Sequence, residues 1–471
     1  MSPTRRVLVA AKHLALDKTS EGLCTARLVR ALVDAGHEVR CLTTEPLSDS
    51  PLAGTGVEVV AVPVTTGPWR AALADAADPS RAAIPAGRRL RSVVRLTVTV
   101  TTGAEPRSWN EIAAWRHSLR HQCLEFAPDL VIVRGGGLGF EPHLAMTHVR
   151  LACPWIAHYH DPYPLSAYPP SYAHHTPLLS ARQEQQNRRI LRRASLVTFP
   201  SSQLADWTER TSGVVLGRRR GVLANIGGPI NDDEADAALL DRLSGDRRFL
   251  LVHTGTLLGA RSPLPLLRAF RRLLADGEDQ ASQSRLVLLG SIDRTHRRDV
   301  RFLALREELE SSGNLRVEDV RTNHATAFGL TRRATATILL EADDPESPFF
   351  PGKLADYLVA DHPILALSPP RSVARDLLGA SHPLWCAPTD EDAILAALRV
   401  IWAAWREGRL AELRAPSSAR GSVSAAHAVG TVDELVERTL APPTDNRWSP
   451  RGPTDHPRGT SGGDRPVGSP P

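Results

Sequence analysis

The 471-residue chain is 42% apolar and 23% charged, a balance that suits two or three globular domains and excludes a collagen-like or wholly disordered polymer. Five scattered cysteines with no CxxC pair argue against a zinc site or a disulfide framework, and no run nears the roughly 20 apolar residues of a membrane-spanning helix. The net charge of +5 comes from arginines spread along the whole length and nearly matched by acids, so it favours an acidic small molecule or an anionic surface over nucleic acid.

The opening "RRVLVAAKH" has basic flanks, but its apolar core is too short for a signal peptide, and it reads as a buried first strand. A polar loop follows, then a helix, "LCTARLVRALVDAG", with Leu23, Ala26, Leu28, Leu32 and Val33 on a broad apolar face and Gly36 as its stop. "HEVRCLTTE" and "GVEVVAVPV" are further strands, so the start is a βαβ unit with a parallel sheet. Residues 64–105 are irregular and carry Arg81, Arg88, Arg89, Arg91 and Arg95 among apolar residues. "SWNEIAAWRHSLRHQCLEFAP" is expected to be helical, with Ser108 as N-cap and Glu111 at capping-box spacing. "PDLVIVRGGG" is a strand entering a glycine loop, "CPWIAHYHDPYP" a strand ending in a His-Asp-Pro loop, "SARQEQQNRRILRRA" a polar helix and "SLVTFPS" a strand. Together these make a first α/β domain over residues 1–230.

Residues 231–246 read as an acidic linker. A second α/β pattern then alternates five strands, among them "RFLLVHTGTL", "SRLVLLGS" and "TATILLEAD", with helices over residues 247–412. A closing segment over 413–440 holds the helix "TVDELVERTL". The Pro/Gly/Ser/Arg-rich tail 441–471 has little to bury and is expected to be disordered. The fold class is therefore α/β, with two Rossmann-like doubly wound domains.

One stretch carries chemistry on its face. Only three of the 57 basic residues are lysines (Lys12, Lys18 and Lys353), and Lys353 follows Pro351-Gly352 at the start of an apolar helix. Free N–H groups and a partial positive charge collect there, so an added cation makes an anion site; an ordinary helix start is the alternative.

Two similar doubly wound domains, a connector and a late helix resemble the two-domain GT-B glycosyltransferases. "LLVHTGTLLGARSPLPLLRAFRRL" and "SPFFPGKLADYLVADHPILAL" resemble the donor-binding half of glycosyltransferase family 4, similar to the older family 1 grouping. The resemblance implies a cleft between the domains and a nucleotide-diphosphate sugar as donor. It places the donor diphosphate at the loop from Gly255 to Arg261, and the helix start at Gly352 and Lys353 can hold phosphate beside it. The family usually has Arg after that glycine and Lys before the next helix; here Thr256 and Arg261 stand at these places, and Arg261 retains a bidentate phosphate grip. Of the family's two glutamates eight positions apart, the second falls on Asp356, implying a ribose contact. The first falls on Pro348, leaving Glu346 or Ser347 as substitutes. On the acceptor side the resemblance points to Gly22, where the family usually has two adjacent glycines.

Glycosyl transfer breaks a C–O bond to a diphosphate, and fixed cations and amides stabilise the leaving charge. Arg261, Lys353 and the helix start supply this without a metal or other cofactor. The Asp-x-Asp at Asp390 and Asp392 reads as a helix start, and no metal site is expected. In "HYHDPYP", His160 with Asp161 is the catalytic candidate, able to hydrogen-bond the sugar or help move the acceptor proton; His158 competes for the register, and a His-Asp pair organising a turn is the alternative. The expected partners are a nucleotide-sugar donor and an unspecified acceptor, with no nucleic acid. The arginines at 81–95 are either a solvated face or a peripheral contact with an anionic membrane. The expected enzyme is cytoplasmic or peripheral to the inner face of the membrane, and retains anomeric configuration as the family does. A nucleotide-sugar epimerase on the same fold, or a non-catalytic nucleotide-sugar-binding partner protein, remain alternatives.

Overall fold

The computed structural model describes residues 3–14, 19–45, 52, 55–64, 106–137, 139–174, 176–230, 235–246 and 248–440. The arginines at 81–95, Lys18 and the tail 441–471 lie outside these residues. The first sheet has seven strands: β1 (Arg6–Ala11), β2 (Glu38–Thr43), β3 (Glu58–Ala61), β4 (Leu130–Gly135), β5 (Trp155–Tyr159), β6 (Leu196–Phe199) and β7 (Arg220–Val222). The second has six: β8 (Phe249–Thr254), β9 (Ser284–Leu289), β10 (Leu315–Glu318), β11 (Ala336–Leu340), β13 (Ile364–Leu367) and β15 (Trp385–Cys386), while β12 (Glu346–Ser347) pairs with β14 (Arg371–Ser372) alone. All the pairings are parallel. Runs such as "VLVAA", "LVIV" and "FLLV" are buried throughout, because helices cover both faces of such sheets. The expected pair of doubly wound domains is what the chain forms.

The principal helices are α1 (Ser20–Asp34), α2 (Pro106–Glu125), α3 (Pro177–Arg193), α4 (Ser202–Ser212), α5 (Ala237–Ser244), α6 (Leu264–Leu274), α7 (Val300–Ser311), α8 (His324–Arg333), α9 (Gly352–Ala360), α10 (Glu391–Arg406) and α11 (Ala425–Leu440). Four boundaries differ from the expectation. Helix α1 starts at Ser20, capped by Thr19, whose hydroxyl accepts from Gly22 N–H at 3.0 Å, so Gly22 lies in the first helical turn and not in a loop. Helix α2 begins at Pro106, which places Ser108 inside it. Residues 237–244, read as linker, are helical, because Leu240 and Leu243 bury against Leu250 and Val252 of the second domain. The three-residue β7 and the two-residue β15 extend the first and second sheets beyond the strands expected there, so the second sheet has six strands where five were expected.

After α10 the chain returns to the first domain. Ala428, Val432, Leu435 and Val436 of α11 join the core that holds Val7, Val9, Ala26 and Leu32. The other crossing, Leu223–Ile230, runs along α9. A Cβ on Gly227 would lie 2.2 Å from the Ala355 carbonyl oxygen, so backbone there approaches the helix as only glycine permits.

Strand order places the site. The first sheet runs β3-β2-β1-β4-β5-β6-β7 and the second β10-β9-β8-β11-β13-β15, so connectivity reverses between β1 and β4 and between β8 and β11. Crevices open beyond the carboxyl ends of strands at such reversals.

Candidate active site

The reversal in the second sheet gathers cations. Beyond β8 the chain turns at Gly255 (φ +114°), a backbone conformation that favours glycine. A Cβ there would lie 2.8 Å from Lys353 Nζ, so the ammonium rests directly over this glycine. Tyr357, one turn along α9, fixes the arrangement: its hydroxyl accepts from Thr254 N–H at 3.0 Å and pins α9 to the end of β8. His253 is fully buried, and its Nδ1 lies 2.9 Å from the Ile338 carbonyl. A carbonyl only accepts, so Nδ1 carries the hydrogen and Nε2 is left to accept from Lys353 Nζ at 3.2 Å. Burial, and then the Lys353 charge, hold the imidazole well below its ordinary pKa, which keeps it neutral.

Lys353 itself is partly buried, and burial followed by Arg261 pushes its pKa well below the lysine range. The Glu341 carboxyl, beyond β11, opposes this more weakly than burial and Arg261 act. It is buried, accepts from Ser347 Oγ at 2.7 Å, leaves Oε2 without a hydrogen-bond partner, and is raised to about 7 by burial. Arg261 donates from Nε to Tyr172 Oη of the first domain at 3.0 Å. No side chain caps α9, which opens at Gly352. A guanidinium, an amine whose charge burial disfavours, an uncapped helix start and a buried carboxyl raised to about 7 are an environment that a bound anion would relieve.

The reversal in the first sheet gathers carboxyls. Lys12, after β1, is held by Glu111 at 2.9 Å and Glu141 at 3.1 Å. Glu21, in the first turn of α1, is 6% exposed. Gly136, directly after β4, forms the floor: a Cβ on it would meet Asp161 Oδ2 at 2.9 Å, His160 Cβ at 3.0 Å and Glu21 Oε2 at 3.4 Å. These side chains converge over a glycine because nothing larger fits. His160 follows β5 and is 5% exposed, and burial lowers its pKa although Asp161 opposes this. His158 lies inside β5, fully buried with Nδ1 3.0 Å from Thr198 Oγ1, and belongs to the core.

The segment after β5 bridges the two sides. It is anchored where Asn187 donates to the Tyr163 carbonyl at 2.8 Å and Trp207 to the Ala167 carbonyl at 2.6 Å. Tyr168 and Tyr172 then pack against Phe349 with ring centroids 5.4 and 5.6 Å apart. Burial, Asp161 and Glu21 raise the pKa of Tyr168, which ties it to the carboxyl side, while Tyr172 holds Arg261 on the cationic side. The starts of α1 and α9 also meet, with Ser20 Cβ 3.4 Å from where a Gly352 Cβ would be.

Of the residues singled out in the sequence, Gly255, Arg261, Gly352 and Lys353 come together, as do His160 and Asp161. Thr256 is exposed. Glu346 faces Arg210 of α4 at 2.8 Å, and Ser347 supports Glu341. Asp356 has both oxygens engaged: Oδ1 accepts from Arg27 at 2.7 Å and from Gly228 N–H at 3.0 Å, and Oδ2 lies 3.0 Å from His324 Nε2. Arg27, on α1, also donates to the Ile226 and Gly228 carbonyls, so Asp356 closes a buried lock between α1, the crossing segment and α9. Asp390 caps α10 by accepting from Ala393 N–H at 3.0 Å, and Asp392 pairs with Arg272 at 2.7 Å. Sequence reasoning missed Lys12, Glu21, Tyr172, His253 and Glu341; the scarcity of lysine was a signal that could have found Lys12.

Residues 22–225 match the family described as the glycosyl transferase 4-like domain. No curated protein matches the sequence. A solved glycosyltransferase from Rickettsia africae is similar, with 10% identity over 93% of this chain and 99% of that one, at a TM-score of 0.58. A sucrose-phosphate synthase from Thermosynechococcus elongatus has 13% identity over 93% and 99%, with a TM-score of 0.58. A UDP-N-acetylglucosamine 2-epimerase from Listeria monocytogenes, described as putative in its own right, has 13% identity over 92% and 97%, with a TM-score of 0.53. At these identities the likeness establishes the GT-B fold, a fold that serves transfer and epimerisation alike.

Proposed function

We propose that this chain, whose residues 22–225 match the glycosyl transferase 4-like domain family, transfers a sugar from a nucleotide-diphosphate donor to an acceptor held on the first domain. The observation that carries the reading is the contact of Lys353 with Gly255 beside Arg261, at the reversal point of the second sheet. The diphosphate lies against the Gly255 turn, with Lys353 and Arg261 on its oxygens and the start of α9 directed at it. As the bond from the anomeric carbon to the diphosphate breaks, the departing charge meets cations already in place, so little reorganisation is needed. Lys353 is well suited because its depressed pKa rises as the anion arrives. Transfer proceeds with retention, no metal is required, and Glu341 lies close enough to respond to the charge.

His160 and Asp161 line the acceptor side of the crevice, with the sugar between them and the diphosphate grip. His160 is neutral at physiological pH and can accept from or donate to a sugar hydroxyl. The 4-like domain match favours transfer over epimerisation. Incubation with UDP-glucose and GDP-mannose tests the proposal: slow donor hydrolysis in the wild type, lost in Lys353→Ala and Arg261→Ala, is expected. Nucleotide binding with no hydrolysis of either donor and no transfer to any acceptor would leave a non-catalytic binder.

A further inference from the structure

We propose that Glu21, together with Asp161, binds one hydroxyl group of the acceptor, Glu21 donating a hydrogen bond to the hydroxyl oxygen and Asp161 accepting one from its hydrogen. The inference rests on the transfer reading above and adds the chemistry of the acceptor's reacting group. Three observations support it. Glu21 is 6% exposed at the carboxyl-end crevice of the first sheet, and its Oε1 has no hydrogen-bond partner. Its Oε2 and Asp161 Oδ2 approach each other across Gly136, where the absence of a side chain lets both carboxyls reach the same space. The surrounding charges leave Glu21 able to donate: burial and Asp161 raise its pKa to about 8 against the opposing pull of Arg134 and Lys12.

The groups facing Glu21 come from every neighbouring element. Lys12 follows β1 and is already bound by Glu111 of α2 and Glu141 of the helix Glu141–Met146; Arg134, next to last in β4, donates from Nε to Thr25 Oγ1 at 3.1 Å. Asp161 and His160 follow β5, and Tyr168 closes the far side. With Lys12 held by its own two carboxyls and Arg134 bonded through Nε to Thr25, a protonated Glu21 beside Asp161 forms a donor–acceptor pair. A hydroxyl satisfies both members at once, whereas a phosphate or carboxylate would meet the Asp161 charge. Water fits the same pair, so slow donor hydrolysis is expected when no acceptor is present.

The test uses the full chain. Infrared spectroscopy of the unliganded protein between pH 6 and pH 10 is expected to show a protonated-carboxyl band that titrates out near pH 8 and is absent from Glu21→Gln. Donor hydrolysis with UDP-glucose and GDP-mannose gives the second readout. The wild-type rate is expected to fall above about pH 8; Glu21→Gln, whose amide still donates, loses that alkaline limb; Glu21→Leu is about tenfold slower than the wild type below pH 8, the scale of one lost hydrogen bond, and the two converge above it. A band titrating in the ordinary carboxyl range, or a Glu21→Leu protein with the wild-type rate and pH profile, overturns the inference while the transfer reading stands. Failure of the wild type to bind UDP or GDP by calorimetry overturns the transfer reading and this role with it.

Discussion

Replacing Asp356 by Asn tests the lock that joins α1, the crossing segment and α9. Arg27 is 4% exposed, and Asp356 is its only carboxylate partner among the described residues. Asparagine preserves the shape and can still accept from Gly228 N–H, but it leaves the guanidinium buried without a countercharge. Removing one member of a buried pair costs about 3–5 kcal/mol, and the retained hydrogen bonds to the Ile226 and Gly228 carbonyls place the expected loss near 3. Asp34→Asn is the control, because its pair with Arg30 at 3.0 Å is exposed and is worth less than about 0.5 kcal/mol. Urea unfolding at pH 7 reads both. The effect also has a pH signature. Burial alone would raise the Asp356 pKa, but Arg27, His324 and Gly228 N–H hold it below the ordinary aspartate value. Stability from a depressed acid is present above its unfolded pKa and is lost as pH falls through the folded value, so the gap between wild type and Asp356→Asn should close only below the ordinary carboxylate range. An Asp356→Asn protein no less stable than Asp34→Asn would refute the lock.

Three further outcomes are expected. Nucleoside diphosphate binding at pH 8 should take up protons, because Lys353 is held below its ordinary pKa by burial and Arg261 and regains its charge beside phosphate; equal calorimetric enthalpies in two buffers of different ionisation enthalpy would contradict this. Glu341→Gln should stabilise the unliganded protein at pH 8 by up to about 3 kcal/mol and leave it unchanged near pH 4 in urea unfolding, because an acid raised to about 7 loses its stabilising contribution as pH rises through that value. Gly290→Ala should lower the thermal midpoint and weaken nucleotide binding together, because Gly290 has φ +139° and a Cβ there would lie 2.5 Å from the Gly255 carbonyl oxygen; unchanged binding would separate the Gly255 turn from the nucleotide site.

The architecture was legible because buried parallel strands are written as unbroken apolar runs, as in "FLLV" and "LVLL". Strands of two or three residues, Arg220–Val222 and Trp385–Cys386, carry no such run and are defined only by their neighbours. Lys353 was legible from its rarity and from its place at a helix start. Asp356 was correctly placed on that helix, but its partner Arg27 is 329 residues away, and no local pattern announces such a pairing. Glu21 was hidden by an ordinary appearance, since an acid in a first helical turn is what the helix dipole favours anywhere on a protein surface. Its burial comes from Gly136 and the segment carrying Asp161, which only the tertiary fold brings over it.

The central claim is the anion grip of Lys353 and Arg261 over the Gly255 turn, and calorimetry with UDP and GDP tests it most directly. Each lost charge-assisted contact is worth about 1.5–3 kcal/mol, so Lys353→Ala and Arg261→Ala should each weaken the better-bound nucleotide by roughly tenfold to a hundredfold. Wild-type affinity in both variants would contradict the account.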